Sequence, residues 1–248
     1  MRDEPTPNYF DASLAASYDD AVSERFQPDA LEAEVSFLAE QANGGRMLEL
    51  GIGTGRIALP LIERGVEVAG IDLSPDMVER LRQKPGGADI DVVIGDFAVT
   101  RVAGDFSLVA LVFNTINNLT TQDAQVACFR NAAAHLDLGG RFVIDVGVPA
   151  LRHLPPGEHL RAFGADAGYA GVEEYTDFVE QTFSSHHYHV RSDRVGVVSV
   201  PFRYVWPAEL DLMAQLAGMR LVERWEDFRR SPFTGDSTRN VSVWERVV

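Results

Sequence analysis

A chain of 248 residues with 46% hydrophobic and 24% charged side chains has material for one large domain, or for a domain with an insertion. Its 37 acids against 22 bases, a net charge of −15, argue against nucleic-acid and anionic-membrane partners, which demand clustered Lys and Arg. Cys128 is the only cysteine, so no intrachain disulfide is available and no metal site is expected. The longest apolar run, 108–113, is far too short to span a bilayer, and the polar, acidic start does not read as a signal peptide, so a cytoplasmic protein is expected.

Taken in order, residues 11–22 suit a short helix and 28–41 a second one. The second has Pro28 in its first turn, Leu31, Val35 and Leu38 on one face, and Asn43-Gly44-Gly45 as its stop. From residue 46 onward, apolar runs of strand length alternate with helical segments, the pattern of a parallel sheet wrapped by helices. Strands are predicted at 46–50, 66–71, 90–94, 106–113 and 141–146. Helices are predicted at 56–64, 75–84 and 121–136, with Ser74-Pro75 as an N-cap and Gly139-Gly140 as a stop. Pro60 fits the first of these only if its regular turns begin just before it.

After residue 148 the alternation ends. Residues 149–170 read as irregular, and EEYTDFVEQTF, HHYHV and VGVVSVPFRYVW read as antiparallel strands added to the main sheet. A helix at 207–216 and strands at 220–227 and 241–247 close the chain. The expected fold is thus an α/β, Rossmann-like, seven-stranded and mostly parallel sheet with its last strand antiparallel. One domain is expected over 1–248: a helical lid (1–42), a cofactor-binding core (43–148), a substrate-side β insertion (149–206) and a C-terminal completion (207–248).

The organising motif is RMLELGIGTGR, 46–56. Gly51, Gly53 and Gly55 let the backbone turn sharply out of a strand and approach a ligand with no Cβ in the way. The dinucleotide fingerprint places its third glycine one residue later, so G-x-G-x-G suits a single nucleoside better. Glu49, between Leu48 and Leu50, is an acid inside an apolar strand and needs a partner. Asp72 and Asp96 follow the second and third strands, where each serves equally well as a ligand group or as a turn or cap residue.

LELGIGTGR, GIDLS at 70–74, GDF at 95–97 and LDLGGRFVID at 136–145 together resemble the class I S-adenosylmethionine-dependent methyltransferases over 46–145. The flanks are similar to small-molecule N-methyltransferases of the amino-sugar and glycine type. The resemblance implies S-adenosyl-L-methionine as cofactor and S-adenosyl-L-homocysteine as product. It implies that Gly51, Gly53 and Gly55 line the methionine and ribose portion, with Glu49 beneath them near the amino-acid end. Asp72 would accept both ribose hydroxyls, Leu73 would pack on adenine, and Asp96, with the Phe97 backbone close by, would take the adenine amino group. Phe113 and Asn114 would sit near the transferable methyl, and Tyr18 would fold over the cofactor.

The family's Asn/Asp-Pro-Pro-aromatic motif for planar amides and adenine is absent at FNTINNL, 113–119, which counts against nucleic-acid and glutamine substrates. A small-molecule acceptor, an amine first, is expected. O-methylation and cofactor binding without catalysis remain open alternatives, as does a homodimer. An amine needs little base help. For other acceptors, His187 and His189 share one face of an alternating strand and are candidate bases, with His186 on the other face; the competing reading is that all three are surface residues.

Overall fold

Helix α1 (Pro28–Ala42) precedes an alternating run of β1 (Met47–Leu50), α2 (Ala58–Glu63), β2 (Val68–Asp72), α3 (Pro75–Arg82), β3 (Asp91–Ile94), β4 (Phe106–Leu111), α4 (Gln122–His135) and β5 (Leu136–Gly147). Four antiparallel strands follow, β6 (Leu160–Asp166), β7 (Tyr169–Asp177), β8 (Thr182–Arg191) and β9 (Arg194–Arg203). Helix α5 (Pro207–Leu216) and strands β10 (Met219–Trp225) and β11 (Arg239–Arg246) complete the chain. The computed structural model describes Tyr9, Ala15, Tyr18, residues 27–191 and residues 194–248. The helix expected over 11–22 lies outside these, except that Ala15 and Tyr18 are helical.

The main sheet has the order β10-β11-β5-β4-β1-β2-β3. Strands β1 to β5 pair in parallel, and β11 runs antiparallel to both neighbours. This is the seven-stranded Rossmann-like sheet expected from the sequence, with the added β6-β7-β8-β9 sheet beside it. One face buries Phe129, Leu210 and Met213 from α4 and α5. The other buries Val35, Phe37, Leu61 and Leu81 from α1, α2 and α3. Both faces being covered explains why β1, β2 and β4 read as continuous apolar runs. Strand order reverses between β1 and β4, and in such sheets the crevice beyond the strand ends at that reversal is where ligands bind.

Several boundaries differ from expectation, each for a local reason. Helix α2 starts at Ala58, so Pro60 falls in its first turn, where no intrahelical N–H is lost. Strand β4 stops at Leu111 because Phe113 and Asn114 take left-handed backbone, φ 62° and 59°. Gly139 and Gly140 do not end α4; they lie inside β5, whose register with β4 shifts between Phe106 and Leu108. The stretch EEYTDFVEQTF is two strands, parted where the Asp177 carboxylate accepts the Val179 and Glu180 N–H groups in a side-chain-closed turn. Strand β6 sits within residues expected to be irregular, and its half-buried and exposed positions carry no alternation to reveal it.

Gly70 in β2 is a close-approach glycine that spacing alone does not expose. A Cβ there would meet three atoms of the Ile52 side chain at 2.5, 2.8 and 2.8 Å. Gly70→Ala is expected to destabilise the fold by about 1–3 kcal/mol through overpacking, read as a lower urea midpoint at unchanged slope. An unshifted midpoint would mean that Ile52 finds another rotamer.

Candidate active site

The loops at the carboxyl ends of β1, β2, β3 and β4 enclose one cavity at the strand-order reversal. Gly51 and Gly53 enter it from the first loop, Asp72, Leu73 and Met77 from the second, and Asp96 and Phe97 from the third. Thr115, Asn118 and Leu119 follow β4, and Tyr9 and Tyr18 reach the cavity from the N-terminal segment.

The glycine loop is built so that side chains do not fit. Gly51, Gly53 and Gly55 have φ of 72°, 55° and 82°. A Cβ on Gly51 would come within 2.9 Å of Thr115 Cγ2, and one on Gly55 within 2.3 Å of Leu81 Cδ1. Asp72 ties this loop to the next: the Gly53 N–H donates to Oδ2 at 2.7 Å and the Ser74 N–H to Oδ1 at 2.8 Å. Burial raises the Asp72 pKa, with these backbone donors opposing it. Asp72 also lines the cavity, and a carboxylate oxygen with one donor can accept another. Ser74 caps α3, accepting from Met77 N–H at 3.3 Å, so the cap and the ligand-type aspartate coexist in one turn. Asp96 likewise accepts the Ala98 N–H at 2.8 Å while lining the cavity.

Glu49 is 4% exposed, and its Oε2 has no hydrogen-bond partner. Burial pushes its pKa up to about 8; Arg56 opposes this, and Glu34 and Asp72 add to it. Arg56 donates to Glu34 of α1 at 2.6 and 2.9 Å, and its guanidinium lies 5.6 Å from the Phe113 ring. Glu34 was missed in the sequence because it lies on the buried face of α1 among apolar residues; the signal was a lone acid there, with an arginine following the glycine loop. Thr115, Met77, Leu119 and Tyr9 were missed as cavity residues too, since nothing local marks them.

Phe113 and Asn114 are pinned beside the cavity but do not line it. The Asn114 N–H donates to the Asp145 carbonyl at 3.0 Å, and its side-chain oxygen accepts the Gly147 N–H at 2.7 Å. The Phe113 N–H reaches the Asp145 carboxylate at 3.2 Å, which Arg239 holds at 2.5 and 2.6 Å. His187 and His189 are not brought to the cavity. Strand β8 runs outward from Thr182, opposite Arg203, and at about 3.4 Å per residue they lie roughly 17 and 24 Å along it. His187 instead meets the Tyr169 hydroxyl at 2.9 Å and Ser185 Oγ at 3.1 Å, and His189 packs on the Tyr169 ring. Burial, then the charges of His189 and His186, lower the His187 pKa. His186 faces the opposite way, toward Ser199 and Glu174, as strand alternation requires.

The strand order reverses at the glycine loop, and Asp72 at the end of β2 and Asp96 after β3 line the crevice there, the place where open α/β sheets bind nucleoside ligands. The chain belongs to the class I S-adenosylmethionine-dependent methyltransferases. A model of the methyltransferase domain matches residues 47–140. The CcbJ methyltransferase from Streptomyces caelestis superposes with a TM-score of 0.87 at 34% identity, over 99% of this chain and 100% of that one. The cypemycin N-terminal methyltransferase of a Streptomyces species is 28% identical over 244 residues, 97% of this chain and 98% of its own. CalS10, an amino pentose methyltransferase from Micromonospora echinaspora, shares the fold at a TM-score of 0.69 and 20% identity, over 92% of this chain and 96% of its own. The residues fit the family's cofactor: a buried carboxylate oxygen of Glu49, two residues before the glycine loop, is without a partner, and Gly51 and Gly53 bring backbone without side chains to the cavity wall.

Proposed function

We propose that this enzyme methylates an amine nitrogen of a small molecule or peptide. Asp72 would hold the ribose hydroxyls, Leu73 and Phe97 the adenine ring, Asp96 its amino group, and Glu49 the amino-acid end. Tyr18 would close over the cofactor from the N-terminal segment. When bound, S-adenosylmethionine supplies an electrophilic sulfonium methyl. The chain's part is to orient the acceptor lone pair in line and exclude water, effects that can supply about 7–11 kcal/mol.

One observation carries the choice of an amine. Among the described residues that line the cavity there is no histidine, and both carboxylates already accept backbone N–H bonds. A neutral amine needs no base to present its lone pair, whereas an alcohol or phenol does. The relative named for N-terminal methylation, aligned over nearly its full length, supports the same reading. The test offers labelled S-adenosylmethionine with panels of amino sugars, free-amine peptides, phenols and carboxylic acids. Transfer to amines is expected, at rates that rise with pH through the amine's own pKa. Transfer confined to phenols or acids would overturn the proposal, and tight cofactor binding without any transfer would point to a binding protein.

A further inference from the structure

Two consecutive residues just after β4, Phe113 and Asn114, hold left-handed backbone. Asparagine tolerates that region, but an aromatic residue there is strained, and such strain persists only where neighbouring groups impose it. Here those groups lie on β5. The Asp145 carboxylate accepts the Phe113 N–H, its carbonyl accepts the Asn114 N–H, and the Asn114 side-chain oxygen accepts the Gly147 N–H. Asp145 is 1% exposed, and its charge is met by Arg239 of β11, one guanidinium nitrogen reaching both carboxylate oxygens. Strand pairing makes room for this. Arg239 stands opposite Gly147, which has no side chain, and Asp145 is its diagonal neighbour.

The turn that follows is tied to itself. The Thr115 hydroxyl donates to the Val112 carbonyl at 2.7 Å, the Asn117 N–H to the Asn114 carbonyl at 2.9 Å, and the Asn118 amide to the Thr115 carbonyl at 3.2 Å. A segment bonded in this way shifts as a unit when its entry angle changes. Thr115, Asn118 and Leu119 face the cavity from it, and Thr115 Cγ2 closes the space beside Gly51. We infer that Asp145 and Arg239, neither of which lines the cavity, are positioning residues for the cofactor. Their ion pair pins Phe113 and Asn114 in left-handed backbone and so sets the wall that residues 115–119 present to the ligand. Gln125 of α4 gives the turn a second hold, at the Ile116 carbonyl, so losing the pair is expected to displace the turn without unfolding the protein. The inference takes the cofactor to occupy this cavity and adds what shapes its wall.

Arg239→Met, Arg239→Lys and Asn114→Ala are each titrated with S-adenosylhomocysteine by calorimetry, at a temperature well below the melting midpoint of every variant. Arg239→Met is expected to weaken binding by roughly 10- to 100-fold, the scale on which losing a group that only orients a binding group acts. Arg239→Lys is expected to bind within a few-fold of the wild type, because one ammonium can replace the single nitrogen that spans Asp145. Asn114→Ala removes the other clasp with no buried charge left behind, and is expected to weaken binding by less than Arg239→Met. A lowered melting temperature with unchanged affinity in Arg239→Met would reduce the pair to a stabilising contact and overturn the inference. An Arg239→Lys variant as weak as Arg239→Met would overturn it too. If Arg239→Met does not fold, Asn114→Ala decides alone, and wild-type affinity there sinks the positioning role. A wild type that binds no S-adenosylhomocysteine would overturn the cofactor placement as well, which sets that failure apart.

Discussion

Asp72→Ala is expected to weaken S-adenosylhomocysteine binding by roughly 100- to 10,000-fold, since hydrogen bonds to a charged acceptor are worth about 1.5–3 kcal/mol each. Two losses combine. The first is the pair of ribose hydroxyl contacts assigned to the carboxylate. The second is structural: the Gly53 and Ser74 N–H groups, 2.7 and 2.8 Å from its oxygens, lose their common acceptor. The glycine loop and the first turn of α3 are then no longer held to each other, and both contribute to the cavity. Asp72→Asn separates the two effects, because a carboxamide keeps the shape but offers one acceptor and one donor where two donors converge. It is expected to fall between the wild type and alanine. Calorimetric titration of the three proteins is the measurement. Unchanged affinity in the alanine variant would reduce Asp72 to a cap.

The prominence of Asp72 in the sequence, against the near-invisibility of Glu34, reflects how each part of the site is built. Main-chain geometry leaves a local trace. Three glycines at alternate positions have positive φ, and aspartates end successive strands, so the loops after β1, β2 and β3 were legible. The fold was legible for a related reason, since parallel strands covered on both faces must be apolar throughout. Contacts that exist only after folding leave no such trace. Thr115 touches the space above Gly51 because β4 lies beside β1, and Glu34 meets Arg56 because α1 packs on that face. The histidines misled in the other direction. Their alternation on β8 was read correctly, but alternation says which face a residue takes and nothing of how far along a strand the cavity lies. The insertion also supplies an anchor near its inner end.

That anchor is Arg203, 3% exposed at the end of β9. Its guanidinium donates to Gln125 Oε1 of α4, to Gln181 Oε1 of the β7–β8 turn at 3.0 Å, and to Glu209 Oε1 of α5 at 2.7 Å. Gln125 in turn donates to the Ile116 carbonyl at 3.3 Å, within the turn that carries Thr115 and Asn118 into the cavity. Arg203→Met is expected to destabilise the protein by about 3–5 kcal/mol, the range for breaking a buried ion pair and stranding its partner. At about 2–4 °C per kcal/mol for a chain of this size, the melting temperature falls by roughly 6–20 °C. Adding Glu209→Leu is expected to restore much of the loss, because replacing both members of a buried pair with apolar groups is often near neutral.

The pH dependence has a definite sign. Burial works to raise the Glu209 pKa, but hydrogen bonds from Gln122, Gln181 and Arg203, with the Arg203 charge, leave it lowered. A depressed carboxylate contributes stability above its unfolded pKa and loses it as pH falls through the folded one. The gap between the wild type and Arg203→Met therefore narrows in acid. Thermal melts from neutral pH down to about pH 3 measure both effects. A melting temperature unmoved by Arg203→Met, or a gap that widens in acid, would show that apolar packing, and not this network, fixes the insertion against the cofactor core.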